Sequence, residues 1–566
     1  MPSLMLKIFR PSSFAWPADS ERRTGMKKAQ SHLAIVGQAL RLSAVKIGKR
    51  CACPGIFVLA CTLGTSAATE TKRSRIDIEQ VPTWSNQDMN FFLHGSMSTE
   101  VIPENVLRAF IKIYPDLFPT SDLTNFGLIP DLDFDWPIGL SRVNVKHLGD
   151  LPAIGINCAS CHLAQITSTT ASDPIRILGT TSHFDVEAFF RSVLAATFKT
   201  SDPSNMKKFL TAYLKADPEA FDVAWRIQAE NIAAVIKDDP FGAKEIAPSE
   251  LHRIDNADVQ ESFETDGDLA RRACSMLKLF HNMRVALHVP DQPPEKAPPS
   301  SGPGRNDAFG LLAASLLNAP QPYSPIKFGL VWNVEKRRWV HWDGNTKSPI
   351  ARNLLASLGL GAPLHGTHAE LEFAMVKRQT DLTEKIRPPR YPFSIDNAAA
   401  KRGTSLFAAN CNSCHGGPET DKRLYPVAEI GTDPRRAEMF TQKLADGFNK
   451  FLAELQTEGY QAPKEVGVRS TGKYFAPTLS GVWARSPSLH NGSVRTMQEL
   501  LTPPGRRQKT FHRGSRLFDE NAMGYTDEGA YTLDTRASGN SNSGHDYGTK
   551  LSPNEKRDLV EYLKTL

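Results

Sequence analysis

Apolar residues recur at helical spacing in several separated stretches, and these set the first expectation for the fold. Phe184-Asp185-Val186-Glu187-Ala188-Phe189-Phe190 through Leu194 has this spacing, and Lys207 to Leu214 continues in the same style, so the region to about Leu287 is expected to be mostly helical. Asn397 to Phe407 reads as an amphipathic helix, and Pro553 to Leu563 as another, with Ser552 placed as its N-cap. Val81 to Gly155 is different: aromatic residues (Trp84, Phe91, Phe92) precede Pro130-Asp131-Leu132-Asp133-Phe134-Asp135-Trp136-Pro137, a loop-like run around short apolar pieces. A Pro-rich stretch, Pro290 to Pro299, reads as a linker or hinge, and the block after it, Gly302 to Gly361, carries Trp332, Trp339 and Trp342 in close order. The pattern predicts a mainly α protein with long loop-rich insertions and little β-structure.

Composition adds little to this except at the N-terminus. The chain has 566 residues, 40% of them hydrophobic and 23% charged, enough for two or three domains. A net charge of +6 is mild, and no Lys/Arg stripe interleaved with aromatics follows the N-terminal segment, which argues against nucleic-acid binding. Lys46, Lys49 and Arg50 precede the apolar run Ile56 to Leu63 and the small residues Thr65-Ser66-Ala67-Ala68, the order of an export signal. The long basic stretch before it reads as an extended n-region or an early start, with Met26 as the alternative, and Cys61 sits in a poor lipobox. No later segment has the ~20 apolar residues needed to span a bilayer. The expected location is periplasmic or secreted.

The chemistry is carried by a pattern that occurs twice: Cys158-Ala159-Ser160-Cys161-His162 and Cys411-Asn412-Ser413-Cys414-His415. With 8 Cys and 15 His in the chain, chance would give roughly 0.003 such matches. Two thiols at this spacing can add across both vinyl groups of one haem while the following His binds its iron, so two covalently bound haem c groups are expected. A redox dithiol does not explain the repeated His, and a structural zinc site usually pairs its ligand knuckles at shorter separation. Cys51, Cys53 and Cys61 leave with the signal, so only Cys274 remains over, read as a buried small residue, and no disulfide framework exists. The expected organisation is a signal segment (1–68), an N-terminal haem domain with a helical insertion (69–289), a linker with the Trp-containing segment (290–394) and a C-terminal cytochrome c domain (395–566). The fold expectation is then two cytochrome c-like haem domains.

These two sites, together with Trp342-Asp343-Gly344, Pro477-Thr478-Leu479-Ser480-Gly481-Val482-Trp483 and Leu489-His490-Asn491-Gly492-Ser493, resemble the bacterial di-haem cytochrome c peroxidase superfamily. The tail, Lys509 to Ser515 and Gly539 to Thr549, resembles its rubber-oxygenase-like branch. The resemblance covers most of the chain after the signal, residues 215–300 excepted. It implies an open, catalytic haem at His162, an electron-handling haem at His415, and Trp342 as an aromatic relay between them. Where peroxidases place a ligating Met after His-x-Gly-Ser, this chain has Pro504, which cannot bind iron. The branch resemblance points instead to His545, giving bis-His coordination at the second haem, with Met497, Met523 and His512 as lesser candidates. His490 is expected to hydrogen-bond near a propionate, and His183, His365 and His368 to be structural.

Peroxidases also carry a Glu after Trp-Asp-Gly, but Ser348 to Leu360 contains no acid; Glu370 and Glu372 come later. Without an acid/base group there, dioxygen activation is favoured slightly over peroxide reduction, and an apolar pocket would suit a hydrophobic substrate. The expected function is a haem-dependent oxidoreductase, oxygenase-like or peroxidase-like, with a hydrophobic substrate or a small redox protein as partner. A hydrogen peroxide-reducing cytochrome c peroxidase and a non-catalytic electron carrier are the alternatives.

Overall fold

Strands flank the first Cys-x-x-Cys-His segment along the chain, Leu151–Ile156 before it and Leu163–Ser168 after it. The computed structural model describes residues 75–76, 78–145, 151–170, 173–200, 203–214, 300–317, 319, 321–362, 372–418, 423–457 and 467–566. The export signal, Cys274, His365, His368, Glu370 and the Pro-rich stretch lie outside them.

The described residues contain fourteen strands in five sheets. The fold is therefore mixed α and β, and the expectation of a mainly α protein with little β-structure is incorrect. The reason is physical. Most of these strands are two to four residues long, too short for alternation to register, and several pair with strands far away in the sequence. Leu517–Asp519 runs parallel to Leu163–Ser168, with Leu517 opposite Thr167, and Arg75–Ile76 runs parallel to Ile175–Leu178. A pairing of this kind leaves no local signature.

In the N-terminal part, Leu151–Ile156 is the centre of an antiparallel sheet between Ile102–Pro103 and Leu140–Val145. It delivers the chain to Asn157, whose side chain caps the one-turn helix Cys158–His162 by accepting from the Ala159 N–H. Gly139 (φ +93°) lies where a Cβ would come within 2.3 Å of the Ser160 backbone, so only glycine lets this turn close on the helix. Beneath the sheet, the helices Glu104–Ile113, Val186–Thr200 and Pro203–Leu214 share an aromatic core that includes Phe110, Phe126, Phe189 and Phe209.

In the C-terminal part, Asn397–Asn410 crosses Pro553–Lys564, both near the positions expected from sequence. Asp396 caps the first, and Ser552 and Glu555 form a reciprocal capping box on the second. Gly403 sits at the crossing, where a Cβ would be 2.2 Å from the Asp558 carbonyl oxygen. Arg402 also grips the Asp558 carboxylate through two bonds of 2.7 and 2.8 Å. A single buried cluster then joins both parts: Leu163, Ile166 and Leu178 pack with Trp332, Trp483, Phe518, Leu559 and Leu563.

Candidate haem site

The helix Asn397–Asn410 ends one residue before Cys411, and the next turn, Asn412–His415, presents His415 to a largely apolar cavity. Its empty space, measured to the open mouth, is about 1320 Å³. Cys411, Cys414 and His415 line one wall, and Leu479, Val482, Leu500, Leu559 and Leu563 supply much of the apolar surface. The imidazole of His415 is fixed by a 2.7 Å contact between Nδ1 and the Pro477 carbonyl. A ring held this way leaves Nε2 as the metal-ligating nitrogen.

His545 lines the same cavity, its ring centre 6.3 Å from that of His415 and its plane turned by 44°. A metal–imidazole bond of about 2.0–2.1 Å on each side, plus roughly 1.1 Å from nitrogen to ring centre, places two opposed axial rings about 6.2–6.4 Å apart. The two histidines therefore stand at the separation of axial ligands to one metal, and the angle between their planes is free in such a pair.

The loop holding His545 is tightly specified. His545 has φ +50°, and Gly544 before it has φ +69°, lying where a Cβ would be 2.2 Å from the Gly431 backbone. The His545 N–H donates to the Ile430 carbonyl (2.8 Å). The Arg507 guanidinium donates to five carbonyls, of Leu500, Thr502, Asn542, Gly544 and His545, at 2.6 to 3.1 Å. His545 is half-buried, and its shielded Nδ1 has no hydrogen-bond partner among the described residues. Burial, with His415 and Arg507 nearby, pushes its pKa down to about 4, leaving the neutral imidazole that binds metals.

The remaining histidines and methionines separate by position. His490 also lines the cavity, but its Nε2 contacts the Tyr474 hydroxyl (3.2 Å) and its ring stacks on Tyr474. Met497 is on the cavity wall. Met523 is buried in the apolar core, and His512 is half exposed, beside Asp527 at 3.2 Å. His183 is buried against the Tyr525 ring in a small separate cleft.

Trp342 lies on the cavity wall, and its indole N–H donates to the Lys327 carbonyl (3.0 Å). The next residue, Phe328, has its ring 6.5 Å from His162. Trp342 thus hydrogen-bonds the residue that directly precedes Phe328, the neighbour of His162. Asp343, following it, is buried against Arg436 at 3.0 Å.

At the first segment, Cys158 is buried with its sulfur 3.3 Å from that of Met97. Burial pushes the Cys158 thiol up to about 12 and those of Cys161 and Cys411 up to about 11, opposite to the lowered values of redox-active dithiols. None of the four cysteines is in a disulfide, and among the described residues no three His, Cys, Asp or Glu side chains gather as a metal cluster. Burial, then the Arg352 charge, pushes His162 down to about 3. Arg352 belongs to the helix Pro349–Gly359, within the stretch that lacks an acid.

Sequence reasoning did not identify Lys327, Tyr474, Arg507 or the Pro477 carbonyl as parts of the site. None sits in a motif of its own; Pro477 alone belongs to a stretch that carried the family resemblance.

No helix among the described residues is long and apolar enough to cross a membrane. Residues 472–512, which include Pro477, His490 and Arg507, match the family described as RoxA-like, cytochrome c-like. The chain is 26% identical to the protein y4iJ of Sinorhizobium fredii over 85% of its own length and 92% of the relative's. It is 30% identical to y4iM of the same organism over 48% of its own length and 72% of the relative's. A shorter match, 28% identical over 20% of this chain and 35% of the relative, is to the cytochrome-c peroxidase IdrP1 of Denitromonas iodatirespirans. A cytochrome c-like domain implies covalently bound haem c and suggests a place outside the cytoplasm. This chain belongs to the family of y4iM, and within it residues 472–512 are similar to RoxA-like cytochrome c domains.

Proposed function

We propose that this chain is a periplasmic or secreted di-haem oxidoreductase that activates dioxygen or peroxide at the Cys158/Cys161/His162 site and handles electrons at the Cys411/Cys414/His415 site. The observation that carries the reading is the pair His415 and His545, with ring centres 6.3 Å apart on the wall of one apolar cavity that Cys411 and Cys414 also line. Bound haem supplies one-electron redox chemistry and, where a coordination position is open, dioxygen or peroxide activation.

The chain's own residues divide the remaining work. Pro477 orients His415, Arg507 holds the loop that presents His545, and the apolar wall excludes water from both. Trp342 offers an aromatic group between the cavity and Phe328 beside His162. At the first site, the charge that bears on His162 from Ser348 to Leu360 is the cation Arg352. A cation cannot serve as the proton-shuttling carboxylate of a peroxidase, which favours oxygenase-like chemistry over peroxide reduction.

Absorption and electron paramagnetic resonance spectra of the purified protein, with and without carbon monoxide or cyanide, test the proposal. One low-spin haem that ignores these ligands and one that binds them is the expected result. Two low-spin haems inert to both would replace it with the electron-carrier reading.

A further inference from the structure

The cavity that holds His415 and His545 has a sharply one-sided charge. Among the described residues that line it, Lys327 and Arg485 are the charged side chains apart from histidine, and no Asp or Glu is present. Lys327 is only 2% exposed. Its ammonium donates to the carbonyls of Arg485 (2.5 Å) and Pro487 (2.6 Å), which leaves one of its three protons without an acceptor among the described residues. Arg485 donates to the Ser480 carbonyl at 2.6 Å.

A buried ammonium satisfied by carbonyls alone is a costly arrangement. Burial, with Arg485 and Arg513 adding like charge, pushes Lys327 well below its ordinary value. Buried charges are normally paired, yet every ionic neighbour of Lys327 named here is a cation. The missing counter-charge belongs in the cavity.

We infer that Lys327 and Arg485 form an anion cradle that receives the propionate carboxylates of the group held between His415 and His545. The inference rests on the haem reading above and goes beyond it by naming the residues that neutralise the carboxylates. It also gives Lys327 a second part. Its ammonium lies 5.4 Å from the Trp342 ring centre and its carbonyl accepts the indole N–H, so one residue touches both the carboxylate end of the haem and Trp342. Lys327 is a positioning residue in this scheme, acting through charge and not on a reacting atom.

The test uses the haem-loaded full chain. Peptide mass of the wild type first establishes haem on Cys411 and Cys414; its absence there would defeat the haem reading itself and this inference with it. With haem in place, Lys327→Met removes a cation that favours the reduced state. The second haem's equilibrium constant for reduction should fall about tenfold, about 59 mV for a one-electron couple. The propionate bending bands in resonance Raman spectra should shift in the same variant, and Lys327→Arg should restore both signals most of the way. Lys473→Met, an exposed site on the strand Lys473–Phe475, sets the background.

A lysine that merely packs the loop would lower thermal stability and leave both signals at background, and that result overturns the inference. So does a shifted potential with unmoved propionate bands. Should Lys327→Met fail to accumulate, Arg485→Gln decides alone. It keeps the backbone carbonyl that holds Lys327, and it should move potential and bands in the same directions; no movement in it rejects the cradle.

Discussion

His415 and His545, 130 residues apart in sequence, have ring centres 6.3 Å apart; the Pro477 carbonyl fixes the His415 ring, and the Ile430 carbonyl accepts the His545 main-chain N–H. Replacing His545 by Ala should convert the second haem from a bis-His low-spin species to one with an open position, seen as new carbon monoxide binding and loss of the bis-His resonance. An unchanged bis-His signal would show that another residue, Met497 aside, supplies the ligand.

Arg507 is what keeps His545 in place. Arg507→Ala leaves five carbonyls without their donor and should cost about 3 kcal/mol of stability. The same variant should broaden the low-spin haem signal as His545 samples more than one pose. Urea unfolding and low-temperature resonance spectra check the two parts, and a stability within 0.5 kcal/mol of wild type, roughly the spread of surface substitutions, would contradict the clamp.

Trp342→Phe keeps an aromatic ring but loses the donor to Lys327, at about 1 kcal/mol. As a relay, Trp342 should matter more to rate than to stability. Flash-photolysis measurement of electron transfer between the haems should show a slower rate with both haems still attached; equal rates would reduce Trp342 to a packing residue.

Glu100 gives a pH prediction. Burial raises its pKa, against hydrogen bonds from Ser141 and Ser96 that lower it, with Glu372 adding a like charge. A folded-state value above the unfolded one means the native state binds the extra proton. Stability from this group is therefore full below the ordinary carboxylate range and is lost as pH climbs through the raised value. Glu100→Gln should flatten that part of the stability profile and raise stability at neutral pH, measured by denaturant unfolding across pH; a parallel, unshifted profile counts against it.

Gly403 tests the crossing of the terminal helices. Ala would gain about 1 kcal/mol of helix propensity, but its Cβ would lie 2.2 Å from the Asp558 carbonyl oxygen, a contact that backbone must move to relieve. A net loss of about 1–3 kcal/mol is expected, and thermal unfolding of Gly403→Ala that matches or exceeds wild type would disprove it.

The sequence by itself determined the features that are local. Both Cys-x-x-Cys-His segments are read from five consecutive residues, and the helices Asn397–Asn410 and Pro553–Lys564 from periodicity and their caps, Ser552 among them. His545 was singled out by family resemblance together with Pro504, a residue that cannot bind iron. Only the tertiary structure decided what depends on distant partners. Leu517 pairs with Thr167, Lys327 meets Arg485 and Pro487, and Arg507 reaches carbonyls from Leu500 to His545. The short strands that made the fold mixed exist because partners far along the chain satisfy their backbone groups. The burial of Lys327 is likewise invisible in a sequence, since burial, and a cavity lining with no Asp or Glu among the described residues, are properties of surroundings assembled from many segments.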